Sequence, residues 1–178
     1  MSRLPVTLLA WHSRQRHCEN GECEMKLYLE TTAPNFLFAD DAPEKQNATE
    51  AFFDWLKISP DKLYTSELVF TELERTPERS LRQKLLTTLA NLECVVFPIT
   101  REAQGFSERL VAEGVIPDRY RDDAVHAALC VLHEMDVLVT WNMKHLVNPR
   151  KIEAINLVAM RAGYRPIRIH TPEEVMMI

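Results

Sequence analysis

Short apolar runs alternate with longer segments of helical periodicity from residue 25 to the end of this 178-residue chain. The runs are rich in Leu, Val, Ile and Tyr, and they lie at 26–30, 62–65, 94–97, 136–140 and 166–169. A helical pattern follows each of the first four. This alternation predicts a three-layer α/β/α domain, in which helices cover both faces of a central, mostly parallel five-stranded sheet.

Three of the predicted helices have clear start signals, in which a hydroxyl, an amide or a proline precedes the helical pattern. These signals are Thr76-Pro77, Thr100 and Asn148-Pro149. Glycines mark the ends of the last two helices, at Gly114 and just before Gly163.

Size and composition favour one folded domain. A chain of this length with 46% apolar residues can build one full core but hardly two. Met25 directly precedes the first apolar run, so we expect a disordered N-terminal extension at 1–24 and a folded domain at 25–178. The run at 4–11 is short, contains Pro5 and has no cleavage site after it, which argues against secretion. We expect a soluble, cytoplasmic protein with no membrane span.

Four scattered cysteines favour a reduced protein over a disulfide-bonded one. Cys18 and Cys23, with His12 and His17 nearby, could be imagined as zinc ligands. No second Cys or His pair with zinc-site spacing follows them, so this is the weaker interpretation.

The formal net charge of −5 argues against nucleic-acid binding by broad basic electrostatics, unless a bound cation supplies positive charge locally. The chain has no glycine-rich phosphate loop and no G-x-S-x-G motif. Nucleotide cofactors and serine-hydrolase chemistry are therefore not expected.

Glu30 is a carboxylate at the end of the first predicted strand, where an unpaired buried charge would be costly. In a parallel sheet the carboxyl ends of the strands meet at one edge, which is the usual place of a binding site. Thr140 and Asn142 end the fourth predicted strand at that same edge. A turn residue is an equally good interpretation of Asn142 taken alone.

A further acid lies on the helix predicted in segment 66–75, which Ser66 is expected to cap. Glu72 falls within the apolar stripe formed by Leu68 and Val69, so its side chain should face the domain. A structural ion pair or cap is the alternative interpretation, because buried acids need partners of some kind.

Asp122 and Asp123 lie near the start of another predicted helix, for which Asp118 is a candidate cap. The helix dipole alone would explain acids at that position. Asp123, however, shares a face with small apolar residues, whereas Asp122 lines up with His126 and His133. We therefore expect Asp123 to be the more buried acid, and ordinary core or surface positions for the two histidines.

Glu30, Glu72, Asp123 and Asn142 should thus converge on one cleft. Three carboxylates would repel one another unless a cation lies among them. Hard oxygen ligands select magnesium or manganese. The sequence therefore predicts a site for Mg²⁺ or Mn²⁺, with Glu30, Glu72 and Asp123 as its ligands.

The segments LYLETT, TSELVFTELE, DDAVHAAL and LVTWNMKHL, in this order, resemble the PIN-domain family of metal-dependent ribonucleases, which includes the VapC-like toxins of toxin–antitoxin pairs. The resemblance covers 25–178. It implies a PIN-like α/β/α fold, an endoribonuclease activity on RNA, frequent homodimers and, for toxins, a small antitoxin protein that covers the cleft. One departure is Glu30, since the family usually has Asp at this position.

The resemblance also implies roles for single residues. The acidic cluster would consist of Glu30, Glu72 and Asp123, with Asn142 at the fourth position. The supporting residues would be Thr31 or Thr32, Thr140 and Asp122, which is a candidate stand-in for Asp123.

Four residues flank the motifs and could contact the RNA backbone, although solvated surface charge is an equally good interpretation. They are Arg119, Arg121, Lys144 and His145. The alternative function is a catalytically weak or inactive PIN module that binds RNA or a protein partner.

Overall fold

The computed structural model describes residues 17–19 and 22–178, and seven strands lie within this part of the chain. The strands are β1 (His17–Glu19), β2 (Glu22–Glu24), β3 (Lys26–Leu29), β4 (Lys62–Ser66), β5 (Cys94–Phe97), β6 (Val137–Val139) and β7 (Arg168–His170). β1 and β2 form a separate antiparallel pair. The other five strands form the central sheet.

The central sheet has the order β5-β4-β3-β6-β7, and each of its four strand pairings is parallel. The predicted α/β fold is therefore confirmed, with a sheet that is parallel throughout. β3 lies in the middle, and Leu27, Tyr28 and Leu29 are fully buried. A strand covered on both faces needs such a continuous apolar run.

Eight helices accompany these strands in the described part of the chain. They are α1 (Thr32–Asn35), α2 (Pro43–Leu56), α3 (Glu67–Glu74), α4 (Arg79–Ala90), α5 (Arg101–Ala112), α6 (Arg121–Leu132), α7 (Pro149–Arg161) and α8 (Pro172–Val175). Short 3₁₀ turns lie at Phe36–Phe38 and Asp118–Tyr120.

The two faces of the sheet have separate cores, because successive side chains of a strand point to opposite faces. Tyr28 packs into the core formed with α5, α6 and α7. Leu27 and Leu29 pack into the core formed with α2 and α8. A third apolar cluster joins α3 to α4. This arrangement gives the predicted three layers.

Two predicted helix starts are confirmed by their capping hydrogen bonds. Thr100 Oγ1 accepts from Ala103 N at 3.2 Å, and Asn148 Oδ1 accepts from Arg150 N at 3.1 Å. Beyond the ends of these helices, Gly114 and Gly163 have φ of 72° and 89°. Such left-handed conformations favour glycine.

The other predicted helix starts need correction. The helix expected at Thr76-Pro77 begins at Arg79, because Glu78 is still extended. Ser66 occupies the N-cap position of α3, but its hydroxyl does not cap the helix and lies 2.7 Å from the hydroxyl of Tyr28 instead.

Asp118 does not cap α6, which begins three residues later at Arg121. The Asp118 carboxylate accepts a hydrogen bond from Arg121 Nε at 2.7 Å, within the turn that leads into the helix.

Much of the predicted extension at 1–24 lies outside the described residues, since 1–16 and 20–21 are not described. The boundary after residue 24 therefore stays a prediction. The side chains of Cys18 and Cys23, and the whole of His12, also lie outside the described part, so the zinc interpretation is untested. No helix among the described residues has both the length and the apolar character needed to cross a bilayer.

Candidate active site

The predicted site residues come together at the carboxyl edge of the central sheet. Glu30 directly follows β3, Glu72 lies on the helix that follows β4, and Thr140 directly follows β6. Asp123 lies in the first turn of α6. The parallel sheet places these groups together because all its strands end on the same side.

Glu30 is nearly fully buried, with 4% of its surface exposed, and its carboxylate is held by hydrogen bonds. Oε2 accepts from Thr32 N at 3.0 Å, from Thr32 Oγ1 at 2.5 Å and from Thr140 Oγ1 at 2.8 Å. Thr31 and Thr32 were alternatives for one supporting hydroxyl, and of these Thr32 contacts Glu30 whereas Thr31 contacts Glu72. Three donors on one oxygen fix the direction of the side chain.

The two threonine hydroxyls link Glu30 to the backbone of the neighbouring strand end. Thr32 Oγ1 accepts from Trp141 N at 2.7 Å, and Thr140 Oγ1 accepts from Asn142 N at 2.9 Å. Each hydroxyl has one hydrogen to donate, and Glu30 receives it in both cases. The ends of β3 and β6 are thereby joined by side-chain hydrogen bonds.

Glu72 has different partners. Its Oε2 accepts hydrogen bonds from the hydroxyl of Thr31 and from His126 Nε2, the latter at 3.0 Å. Burial alone would raise the pKa of Glu72, but the hydrogen bond and charge of His126, with smaller effects of Thr31 and Arg75, hold it below the usual value. Glu72 is therefore a carboxylate paired with His126, and its role as a metal ligand or as a structural partner stays a prediction.

His126 is fully buried, and sequence reasoning missed its place in the site. Its Nδ1 lies 2.8 Å from the hydroxyl of Tyr28, which in turn lies 2.7 Å from Ser66 Oγ. Burial lowers the pKa of His126, but Glu72 and Glu30 outweigh burial and raise it. The available signal was spacing, because a residue three positions after Asp123 lies on the same face of the helix.

Asp123 and Asp122 differ as expected. Asp123 Oδ2 is buried and has no hydrogen-bond partner. Burial, followed by the nearby charge of Glu30, raises the pKa of Asp123 to about 6, although a hydrogen bond with Asn142 opposes the shift. Asp122 is half-exposed and pairs with Arg75 Nη1 at 3.3 Å. It therefore lies at the surface and not in the acidic cluster.

Asn142 links the acids to the loop after β6. Its Oδ1 accepts from His145 N at 3.0 Å, so its amide nitrogen is the group left to donate to Asp123. One side chain thus contacts both the turn and the acid, and the role of Asn142 in the site stays a prediction.

The four candidate RNA contacts divide into two groups. His145 packs against the ring of Tyr120, with 3.7 Å between ring centroids, and Arg119 lies over the same ring. Burial lowers the pKa of His145, and the nearby charges of Lys144 and Arg119 lower it further. These residues form one basic patch beside Asn142. Arg121 instead pairs with Asp118.

The chemistry of the site fits a divalent cation. Glu30, Glu72 and His126 each offer a ligand atom, and these atoms all lie within 4.8 Å of one another. Asp123 is not part of this trio, but its buried Oδ2, which has no hydrogen-bond partner, is a further candidate ligand oxygen. Buried acids of this kind are costly without a compensating charge.

Comparison with known proteins gives structural matches. No protein-family profile matches the sequence, and no curated protein matches it. A chain of VapBC2 from Rickettsia felis, solved bound to a DNA fragment from its promoter, matches with a TM-score of 0.55 and 13% identity over 83% of this chain and 98% of that one. VapC20 from Mycobacterium tuberculosis, a sarcin-ricin loop cleaving toxin, matches with a TM-score of 0.52 and 14% identity over 80% and 98%.

These matches confirm the resemblance at the level of fold. The chain has the PIN-domain fold seen in VapC toxins. At 13% and 14% identity the likeness concerns the backbone, so the function has to be argued from the side chains at the site.

Proposed function

We propose that this protein is a metal-dependent endoribonuclease that hydrolyses RNA phosphodiester bonds with Mg²⁺ or Mn²⁺. One observation carries the proposal: on a PIN-domain fold, three carboxylates converge at one sheet edge, and Asp123 Oδ2 is buried there without a partner. Such a group calls for a cation.

Glu30, Glu72 and Asp123 would hold the metal. A bound divalent cation supplies an activated water and counters the negative charge that builds up on the phosphate. The hydrogen bonds to Glu30 all end on Oε2, so Oε1 keeps its lone pairs for a ligand.

The remaining residues position the acids. Thr32 and Thr140 orient Glu30, while Thr31 orients Glu72. Asn142 holds Asp123 and lies where it can also orient a water or the substrate. Asp122 lies at the surface, which makes it a suitable control for Asp123.

The basic patch of Arg119, Lys144 and His145 is proposed to contact the RNA phosphates next to Asn142. Because the whole chain carries a formal charge of −5, RNA binding would depend on this local patch and on the metal. Arg121 contributes less, since Asp118 already compensates its charge.

The toxin form of the proposal adds a protein partner. The structure from Rickettsia felis is a VapBC complex, and a corresponding small antitoxin would cover the cleft of this chain. A short reading frame directly beside the gene would support this form, and its absence would favour a free-standing nuclease. Homodimer formation and a cytoplasmic location belong to the same proposal.

A second candidate function is a PIN module that binds RNA or a protein without cutting. The observation that favours it is the pairing of the acids within the fold. Glu72 is paired with His126, and Glu30, which stands where the family usually has Asp, is held by threonines. In this form the site would be stabilised without metal.

The experiment that separates the two candidates compares Asp123→Asn with Asp122→Asn. Both variants remove one charge from neighbouring positions, but Asp123 alone contributes to the acidic cluster. Cleavage of a labelled RNA pool should fall about 100-fold or more in Asp123→Asn, because metal affinity is lost, and change little in Asp122→Asn.

Circular dichroism of both variants would show that the fold is intact. Equal activity of the two variants would remove Asp123 from the mechanism. Wild-type protein that binds RNA but does not cut it with any divalent ion would leave the binding module as the function.

A further inference from the structure

The imidazole of His126 lies among the carboxylates of the site. Its Nε2 is 3.0 Å from Glu72 Oε2. One ligand atom from each of His126, Glu72 and Glu30 lies within 4.8 Å of the other two, and these three atoms form the trio. We propose that His126 is a nitrogen ligand of the divalent cation and gives the site a preference for Mn²⁺ over Mg²⁺. This inference rests on the proposed metal-dependent function and specifies its metal.

The distances suit a shared ion. Ligand atoms bound to one small divalent cation lie about 2 Å from it, and therefore up to about 4 Å from one another. The trio is close to this limit, so small side-chain adjustments would bring all three atoms onto one ion. Such adjustments are open to the two glutamates, whose side chains are long, whereas the His126 ring is fixed.

The fixed ring has the support that metal-bound histidines have. On binding the cation, Nε2 would release the proton that it donates to Glu72, and the ring would be neutral with its hydrogen on Nδ1. A ligating histidine almost always donates this other N–H to an oxygen, which orients the ring. Here Nδ1 lies 2.8 Å from the Tyr28 hydroxyl, and that hydroxyl lies 2.7 Å from Ser66 Oγ. Tyr28 and Ser66 are fully buried, so this support is part of the core.

The donor set determines the metal preference. Mg²⁺ prefers oxygen ligands in near-octahedral geometry. Transition-metal ions such as Mn²⁺ accept an imidazole nitrogen more readily. A site of carboxylates and one imidazole should therefore retain Mg²⁺ binding but bind Mn²⁺ more tightly. Loss of the imidazole should reduce that difference.

Pulsed EPR of the Mn²⁺-loaded full chain, without RNA, tests the ligand directly. We expect a nitrogen coupling to Mn²⁺ that changes when the histidines carry ¹⁵N and disappears in His126→Gln. His133→Gln is the matched control, because His133 lies seven residues further on, directly after the end of α6, and stacks on Phe97. The coupling should persist in this control.

Calorimetric titration of the protein with each metal measures the preference for Mn²⁺ over Mg²⁺. Mn²⁺ affinity should fall about tenfold or more in His126→Gln and in Tyr28→Phe, while Mg²⁺ affinity changes much less. Tyr28→Phe keeps the ring but removes the hydroxyl that supports His126. If wild-type protein binds Mn²⁺ without nitrogen coupling, or if both affinities fall equally, His126 only positions Glu72 and the inference is wrong.

The wild-type spectrum decides the question even if a variant fails to fold. Wild-type protein that binds no Mn²⁺ would also overturn the inference. Nitrogen coupling without RNA cleavage would keep the inference and reject the nuclease proposal, and Mg²⁺-dependent cleavage without nitrogen coupling would do the opposite.

Discussion

The two halves of the candidate site handle buried charge in opposite ways. At the ends of β3 and β6, Glu30 accepts three hydrogen bonds from Thr32 and Thr140. At the start of α6, Asp123 keeps one buried oxygen without a partner, and its pKa is raised to about 6. The strand half is complete as folded, whereas the helix half stores an uncompensated charge.

This difference indicates that the two halves of the site have different roles. Hydroxyls and backbone amides at the strand ends hold one acid rigidly in place. The cost of the unpaired acid is placed on the helix, where a cation would offset it. Each prediction below changes one half and uses the other as its reference, beginning with the largest effect.

The largest expected effect is on the rate of RNA cleavage, and it compares the acid Glu30 with its supporting residue Thr140. Glu30→Gln should lower RNA cleavage about 100-fold or more, because it removes the charge of the carboxylate. Thr140→Val keeps the shape but removes the hydrogen bonds of the hydroxyl to Glu30 Oε2 and from Asn142 N, and should cost about tenfold. Initial rates on labelled RNA measure both. A Thr140→Val variant as inactive as Glu30→Gln would show that the strand half does more than support.

The next effect concerns stability without metal. Glu72 has its pKa lowered because burial is outweighed by the hydrogen bonds and charge of His126. Its charge therefore stabilises the fold above the unfolded pKa, and this stabilisation is lost as the pH falls through the folded pKa. Glu72→Gln should lower the free energy of unfolding by about 1–3 kcal/mol in EDTA at neutral pH.

Urea unfolding in EDTA measures this effect. A more stable Glu72→Gln variant would mean that repulsion among the acids outweighs the pairing of Glu72 with His126.

Asp123→Asn should act with the opposite sign and a smaller size. The folded pKa is about 6 and the ordinary value is 3.8, so the charged form costs stability above pH 6. The cost disappears as the pH falls below the ordinary value. We expect the variant to gain about 1–2 kcal/mol in EDTA at pH 7.5, a figure that allows for partial solvent screening.

The same urea titrations at pH 7.5 and at about pH 4 check the sign, since most of the gain should be lost near the ordinary pKa of 3.8. A gain that is independent of pH would trace the effect to packing and not to the charge of Asp123.

The strand half of the site could be predicted from the sequence because its signals are local. An apolar run that ends in Glu30, and another that ends in Thr140, place both groups at the same sheet edge once the sheet is parallel. The alternation of runs and helical patterns gave the parallel sheet, with strand ends correct to within two residues. The position of each residue at the end of its own strand was enough to predict its place at the sheet edge.

The helix half could not be predicted fully, because its contacts join distant parts of the chain. His126 meets Tyr28 across 98 positions, and Tyr28 meets Ser66 across 38. Helical periodicity grouped His126 with the half-exposed Asp122, so it predicted an ordinary histidine. The same long-range contact explains why Ser66 was wrongly predicted to cap α3.

The most direct test of the central claim is cleavage of a labelled single-stranded RNA pool by the purified wild-type chain, first in EDTA and then after metal is added back. The account predicts no cleavage in EDTA and restored cleavage with Mg²⁺ or Mn²⁺, because the acids need a cation to act on a phosphodiester. Cleavage that continues unchanged in EDTA, or RNA binding without cleavage under either metal, would contradict it.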